Sequence, residues 1–228
     1  MSGVRGEQRR GIAGWLLWAA FGVILGLASC APAPVPPRPV AAPPEWRIGD
    51  RWRHAWTAGA EAGTKTSEVL EVRELGGVRY YVLRIDSVHR YYTLDLHWAA
   101  NIVELRVAAR AVPPQPWFMW PLEVGRRWEY QGRYEDQERQ EQVRESYTVL
   151  GVEQVQVPAG TFWAFKVGRE GAGGSSDQYW YAPDIGWYVK WVGRRGNDQF
   201  QEVLVEFVRG SRSAPAPPPA ERPGGARE

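Results

Sequence analysis

The chain has a single cysteine, Cys30, so no internal disulfide can form and the fold must rest on a hydrophobic core. Its three histidines, His54, His89 and His97, have no close helical spacing and no cysteine to join them, which argues against a four-ligand metal site. No serine sits in a G-x-S-x-G elbow, so a triad hydrolase has no nucleophile. The run Gly171-Ala172-Gly173-Gly174-Ser175-Ser176 lacks the Gly-Lys-Ser/Thr ending of a phosphate loop and reads as a hairpin loop. Net charge is scarce as well. Residues 1–29 contain Arg5, Glu7, Arg9 and Arg10, and the rest of the chain holds 25 basic and 25 acidic groups. Nucleic-acid binding needs a local basic excess, and this balance supplies none. These absences point away from an enzyme, a metal or cofactor carrier, and a nucleic-acid partner.

The amino terminus is informative. Three arginines precede an uncharged run, residues 11–29, rich in Leu, Ile, Val, Ala and Trp and ending in the small residues Ala28 and Ser29. That is the layout of a secretory signal helix, although its 19 residues are also enough to cross a bilayer. The sequence Leu27-Ala28-Ser29-Cys30 resembles the lipobox of bacterial lipoproteins. The resemblance implies cleavage before Cys30, acylation of Cys30 and anchoring of the chain to a membrane of the cell envelope. Ala31, rather than Asp, follows the cysteine, which by the same resemblance implies the periplasmic face of the outer membrane if the organism has two membranes.

Proline divides the remainder. Residues 31–44 contain seven prolines and residues 213–228 five more, so residues 30–44 read as a linker and residues 210–228 as a disordered tail. Fourteen residues of polyproline helix extend roughly 43 Å, enough to hold a domain clear of the headgroups. Residues 45–209 then form one domain, long enough to bury a core.

Inside that domain the pattern is all-β. Tyr81, Leu83 and Ile85 share one face, and Val203, Val205 and Phe207 share another, opposite Glu202 and Glu206. Gly76-Gly77, Pro158-Ala159 and Ala182-Pro183-Asp184 are turn signals. Residues 134–146 are rich in helix formers but have almost no apolar face. The sequence Ile48-Gly49-Asp50-Arg51-Trp52 is echoed by Val124-Gly125-Arg126-Arg127-Trp128, and later landmarks keep the order: Val69-Leu70 with Val149-Leu150, Tyr81-Val82-Leu83 with Trp163-Ala164-Phe165, and Tyr91 with Tyr179. Two β-meanders of four or five strands are expected, at about 45–110 and 121–209, joined by residues 111–120. The alignment sets the charged segment opposite a strand connection and so makes it a hairpin. The expected architecture is an antiparallel curled sheet or partly open barrel.

The second half resembles an uncharacterised family of secreted and lipid-anchored bacterial β-proteins. The residues that carry this are Pro121-Leu122-Glu123-Val124-Gly125 with Trp128, Val157-Pro158-Ala159-Gly160-Thr161-Phe162, and Tyr179-Trp180-Tyr181-Ala182-Pro183-Asp184-Ile185-Gly186 with Lys190. A looser resemblance, in lipoprotein character and aromatic strands alone, is to the Lol-type carriers, whose curved sheets hold acyl chains.

Eleven tryptophans lie beyond the leader, several times the usual abundance. They either fill the core of a wide sheet or line an apolar pocket. Trp98, Trp117, Phe118, Trp120, Trp163 and Trp180 are the candidate contacts for an apolar ligand or an envelope protein. The run Trp117-Phe118-Met119-Trp120 lies between prolines, where it either meets a partner or packs across the sheet end. Asp95 and His97, two apart, would face the same way on one strand. The expected function is a non-catalytic, membrane-anchored binding or assembly module. The alternative is a structural or protein-docking lipoprotein with no small ligand.

Overall fold

The computed structural model describes residues 38–40 and 42–211. Cys30, the signal segment and the proline-rich tail lie outside the described residues.

Alternating apolar and polar residues produce twelve antiparallel strands: β1 (Arg51–Ala58), β2 (Glu61–Leu75), β3 (Val78–Ile85), β4 (Val88–Thr93), β5 (His97–Val103), β6 (Arg106–Pro116), β7 (Arg127–Asp136), β8 (Gln140–Val157), β9 (Gly160–Gly171), β10 (Ser176–Ala182), β11 (Trp187–Arg195) and β12 (Asp198–Val208). Each pairs with the next in sequence, and β12 pairs with β1. The sheet is therefore a closed barrel rather than a curled or partly open one. Closure gives every edge a partner, from Arg51↔Val208 to Ala58↔Phe200 at the junction of first and last strands.

The turns follow the sequence signals. Gly76 and Gly77 both have positive φ, at 59° and 79°, as a two-residue hairpin turn requires. Residues 134–146 form the β7–β8 hairpin, with Glu135↔Gln140 its last pair. Six strands precede the long connection at residues 117–126 and six follow it, not four or five, and much of the expected joiner is part of β6.

The corresponding entries to β1 and β7 carry the same hydrogen bonds. Gly49 (φ 86°) donates to the Val69 carbonyl at 2.8 Å, and Gly125 (φ 88°) to the Val149 carbonyl at 2.9 Å. Irregularities recur at Val69/Glu71 and Val149/Gly151, and at Tyr91/Tyr92 and Trp180/Tyr181. Matched through these bulges, Tyr81 corresponds to Phe165 and Tyr91 to Trp180, which differs by two residues and by one from the sequence alignment. A bulge also overturns the expected face of β12. Glu202 and Leu204 point inward, Val203 and Val205 are half-buried, and past the register shift at Arg53/His54 Phe207 turns in to stack on Trp52 at 5.7 Å.

Strand direction assigns the turns to two ends. At one end lie turns 76–77, 94–96, 158–159 and 183–186, connection 117–126, and the first and last described residues; at the other lie turns 59–60, 86–87, 104–105, 137–139 and 196–197 and the loop around the 3-10 turn Ala172–Gly174. The first end is stoppered. Trp46 is buried among Trp52, Tyr81 and Trp187, with ring centroids 4.9 to 5.2 Å away, and its indole N–H donates to the Gly186 carbonyl at 2.9 Å. Gly186 has φ 69° and meets Pro44 so closely that a Cβ would lie 3.2 Å from the ring, so both backbone shape and space call for glycine. Val40 exchanges two backbone hydrogen bonds with Leu122, at 3.0 and 2.8 Å. The barrel thus begins near residue 40 and takes in part of the expected spacer.

Trp52 is fully buried and Trp128 is 8 % exposed, stacked on Tyr147 at 5.1 Å. Replacing either with alanine is expected to cost about 3 to 5 kcal/mol in urea denaturation, with Trp52 the larger because it is the more completely buried of the two. A loss below about 1 kcal/mol at either position would contradict the packing described.

Candidate binding sites at the barrel ends

Beneath the stopper, the barrel interior is filled by rings. Trp117 lies nearly parallel to Tyr179 and Trp187, at 5.4 and 6.0 Å, and Phe118 is fully buried against Tyr181 at 5.0 Å. Two polar clusters share the interior with these rings.

The first cluster joins β1, β2, β11 and β12. The Lys65 ammonium donates to Glu202 at 2.5 Å, the Tyr188 hydroxyl donates to the other Glu202 oxygen at 2.7 Å, and His54 Nε2 meets the Tyr188 carbonyl at 3.1 Å. A carbonyl only accepts, so the His54 nitrogen carries the proton. Burial pushes the His54 imidazole down to about 4. Burial also lowers the pKa of Lys65, against the opposing pull of Glu202.

The second cluster lies toward the open end. Arg169 pairs with both Glu145 and Asp177. Glu145 also accepts from the Tyr147 hydroxyl at 2.6 Å and Gln115 at 2.5 Å, while Asp177 accepts from the Trp191 indole at 3.0 Å and Arg195 at 3.2 Å. Burial works against the charge of Arg169, but Tyr179, Asp177 and Glu145 outweigh it and raise its pKa. With both carboxylates committed to donors, the cluster holds strands together.

Above this floor the barrel opens into a cavity of about 600 Å³. Its walls include Trp98, Tyr130 and Tyr134, and its rim includes Arg139, Glu141 and Arg195. Tyr134 stacks on Trp98 at 6.0 Å and carries the Arg139 guanidinium 5.4 Å from its ring. Burial, with Glu145 nearby, pushes the Tyr130 hydroxyl up to about 12. The mouth therefore offers aromatic edges and charges of both signs, suited to polar contacts and not to an acyl chain. A second cavity, about 680 Å³, lies toward the stoppered end between the β2–β3 turn and the prolines of β6, and is lined by Val78, Leu94, Pro113, Pro114, Pro116 and Tyr130 among others.

The six aromatic candidates do not share one cavity. Trp98 lines the mouth, and none of the other five does. Trp117 and Phe118 are interior packing, and Trp120 donates to the Asp95 carbonyl at 3.1 Å and packs on Tyr181, so the proline-flanked run crosses the end of the sheet. Trp163 lies on β9, its indole nitrogen buried. Trp180 pairs across strands with Lys166 and Lys190, whose ammonium groups lie 4.9 and 4.7 Å from its ring, and its indole donates to Glu153 at 2.5 Å. Asp95 and His97 do not share a strand, because the turn at 94–96 places Asp95 outside β5. Sequence reasoning missed the buried ions Lys65, Glu145, Arg169, Asp177 and Glu202. Their signal was charge in apolar slots of alternation, as in Phe165-Val167-Arg169 and Asp177-Tyr179-Tyr181.

No protein-family model matches the chain, and neither does any curated protein. Among solved structures it is similar to a protein from Bacteroides fragilis, provisionally classed as exported and with a YmcC-like fold, at TM-score 0.44 and 13 % identity over 75 % of this chain and 100 % of the other. A provisionally classed lipoprotein of Parabacteroides distasonis follows at TM-score 0.38 and 13 % identity, over 75 % and 99 % of the two chains. The hypothetical lipoprotein YmcC of Escherichia coli gives TM-score 0.36 and 6 % identity, over 69 % and 84 %.

The buried histidine sets a pH dependence. Its folded-state pKa of about 4 lies below the ordinary 6.5, so the unfolded chain takes up the proton first and stability falls as pH drops from 6.5 through 4. The loss attributable to His54 approaches about 3 kcal/mol at the acid limit. His54→Gln keeps a donor for the Tyr188 carbonyl and should flatten that part of the profile. Parallel urea-stability curves for both proteins between pH 4 and 7 would show the reading wrong.

Proposed function

We propose that the chain is a non-catalytic lipoprotein of the bacterial envelope, anchored through Cys30, whose barrel is a docking module for an envelope protein. The observation that carries this reading is the difference between the two ends. The end at which the chain leaves toward Cys30 is stoppered by Trp46, and the opposite end is a charged mouth. The interior between them is occupied by rings and paired ions, which favours docking over transport of an apolar molecule. The lipobox and its leader support the envelope location, and Ala31 supports the outer membrane.

The matching glycines and bulges of the two halves support an origin by duplication of a six-stranded unit. A second reading, an apolar ligand, is favoured by the 680 Å³ cavity alone, since Val78, Leu94 and three prolines give it an aliphatic lining.

Metabolic labelling with an alkyne fatty acid should mark the full chain and leave Cys30→Ser unmarked. With a photo-reactive residue at Gln142 on the mouth, cross-linking in intact cells should give a discrete protein adduct that is missing from the same probe at Thr66 on the barrel wall. Equal adducts from both positions, or none from either, would sink the docking reading. Saturable quenching of tryptophan fluorescence by palmitate, weakened in Val78→Arg, would put the ligand reading in its place.

A further inference from the structure

We propose that the stoppered end of the barrel is a membrane-resting face that sets aliphatic side chains into the interface of the bilayer holding the lipid anchor. The proposal rests on the anchoring of Cys30 put forward above and adds a second, non-covalent contact.

Five large aliphatic side chains are exposed at this end, Val208 at 36 % and four more exposed than it. Ile48 is 41 % and Val124 58 % exposed, and Leu75 and Val78 are 50 % and 44 %. All four are held on fixed backbone. Ile48 and Val124 immediately precede Gly49 and Gly125, the two glycines at the entries to β1 and β7, and Leu75 pairs with Val78 across the Gly76-Gly77 turn. Leu105 and Val107 are exposed at the opposite end, but the larger group lies here, and such a group of exposed apolar side chains marks a contact face.

The length of chain outside the barrel identifies what covers it. Cys30 and Arg38 are eight residues apart, which even fully extended span at most about 29 Å. An acylated Cys30 therefore tethers this end of the barrel within that distance of the headgroups. Arg47, Arg79 and Arg126 stand beside the aliphatic side chains, where their stems can lie along the interface with the guanidinium among phosphates. Glu45, Glu74 and Glu123 alternate with them, so the aliphatic side chains, more than net charge, carry the contact.

The chemistry of the anchor makes the test clean. Cys30 is the only cysteine, and its sulfur is blocked once it carries the thioether-linked diacylglycerol, so a new cysteine in the full chain is the sole site for a thiol-reactive fluorophore. Bimane is placed at Ile48→Cys, Val124→Cys and, at the opposite end, Leu105→Cys. The acylated proteins are reconstituted in vesicles of phosphatidylethanolamine and phosphatidylglycerol. Labels at 48 and 124 should shift to the blue and be quenched by nitroxide-labelled lipid, while the label at 105 stays in water. Bound protein with labels at 48 and 124 as wet as that at 105 would overturn the membrane-resting face and leave the anchor standing. Protein whose own Cys30 takes up the fluorophore and does not stay on vesicles would overturn both. As a check on insertion, Ile48→Asp with Val124→Asp should abolish the blue shift of a label at Val78→Cys with anchoring unchanged. A shift that survives the double substitution would also overturn the proposal.

Discussion

Closure of a twelve-stranded sheet is the constraint on which everything else depends. Antiparallel pairing around the full circle removes every edge, but it also fixes a circumference well beyond that of the eight-stranded barrels whose interiors ordinary side chains can fill. A wider barrel is a channel unless very large groups occupy it. The abundance of tryptophan answers that requirement. Trp52, Trp117, Trp187 and Trp191 form one interior network with each other and with Tyr179 and Tyr188 at centroid distances of 5.1 to 6.4 Å, which is the range of favourable ring packing. Of the rings that looked like pocket lining, Trp117 and Phe118 are part of the filling.

Rings alone leave polar strand positions to be satisfied, and the barrel does this with ion pairs. Arg169 between Glu145 and Asp177, and Lys65 against Glu202, each place a cation beside carboxylates with further hydroxyl, amide or indole donors. Such networks add little net stability compared with apolar replacements, but removing one partner leaves a buried charge and typically costs about 3 to 5 kcal/mol. Their role here is to fix register across strands that are far apart in sequence, since Lys65 and Glu202 sit on β2 and β12 on either side of β1.

The sequence made the class of fold legible through alternation, through Gly76-Gly77, and through the paired Gly49-Trp52 and Gly125-Trp128, all of which are local signals. What it hid came from bulges and from closure. A single extra residue shifts every later side chain to the other face, so Val203, Val205 and Phe207 were read as one face although Leu204 and Phe207 turn inward. The same effect displaced the alignment of Tyr91, which corresponds to Trp180 rather than Tyr179. Closure is a long-range property of β1 and β12 with no signature in either. Of the mouth, only Trp98 was legible as a candidate, because the convergence of its other walls from β6, β7, β8 and the loop at Ala172–Gly174 depends on the barrel's curvature, and Val40 was hidden within a proline-rich run that otherwise reads as spacer.

The two cavities have a common origin in the strand where the halves join. β6 and β7 share four residue pairs, Ala109↔Asp136 to Val112↔Arg133, whereas β12 and β1 share eight. Beyond Val112 the chain runs through Pro113, Pro114 and Pro116, which have no N–H to donate, so the ladder cannot continue. Side chains take over its work: the Tyr130 hydroxyl donates to the Pro113 carbonyl at 2.8 Å and the Trp128 indole to the Pro116 carbonyl at 3.0 Å. A seam spanned by side chains is wider than one closed by backbone, and the extra width is open space. Tyr130 lines both the mouth and the aliphatic cavity. The prolines that interrupt β6 thus create the room for both cavities, and the β12–β1 junction, paired along the whole of β1, keeps the barrel closed around them.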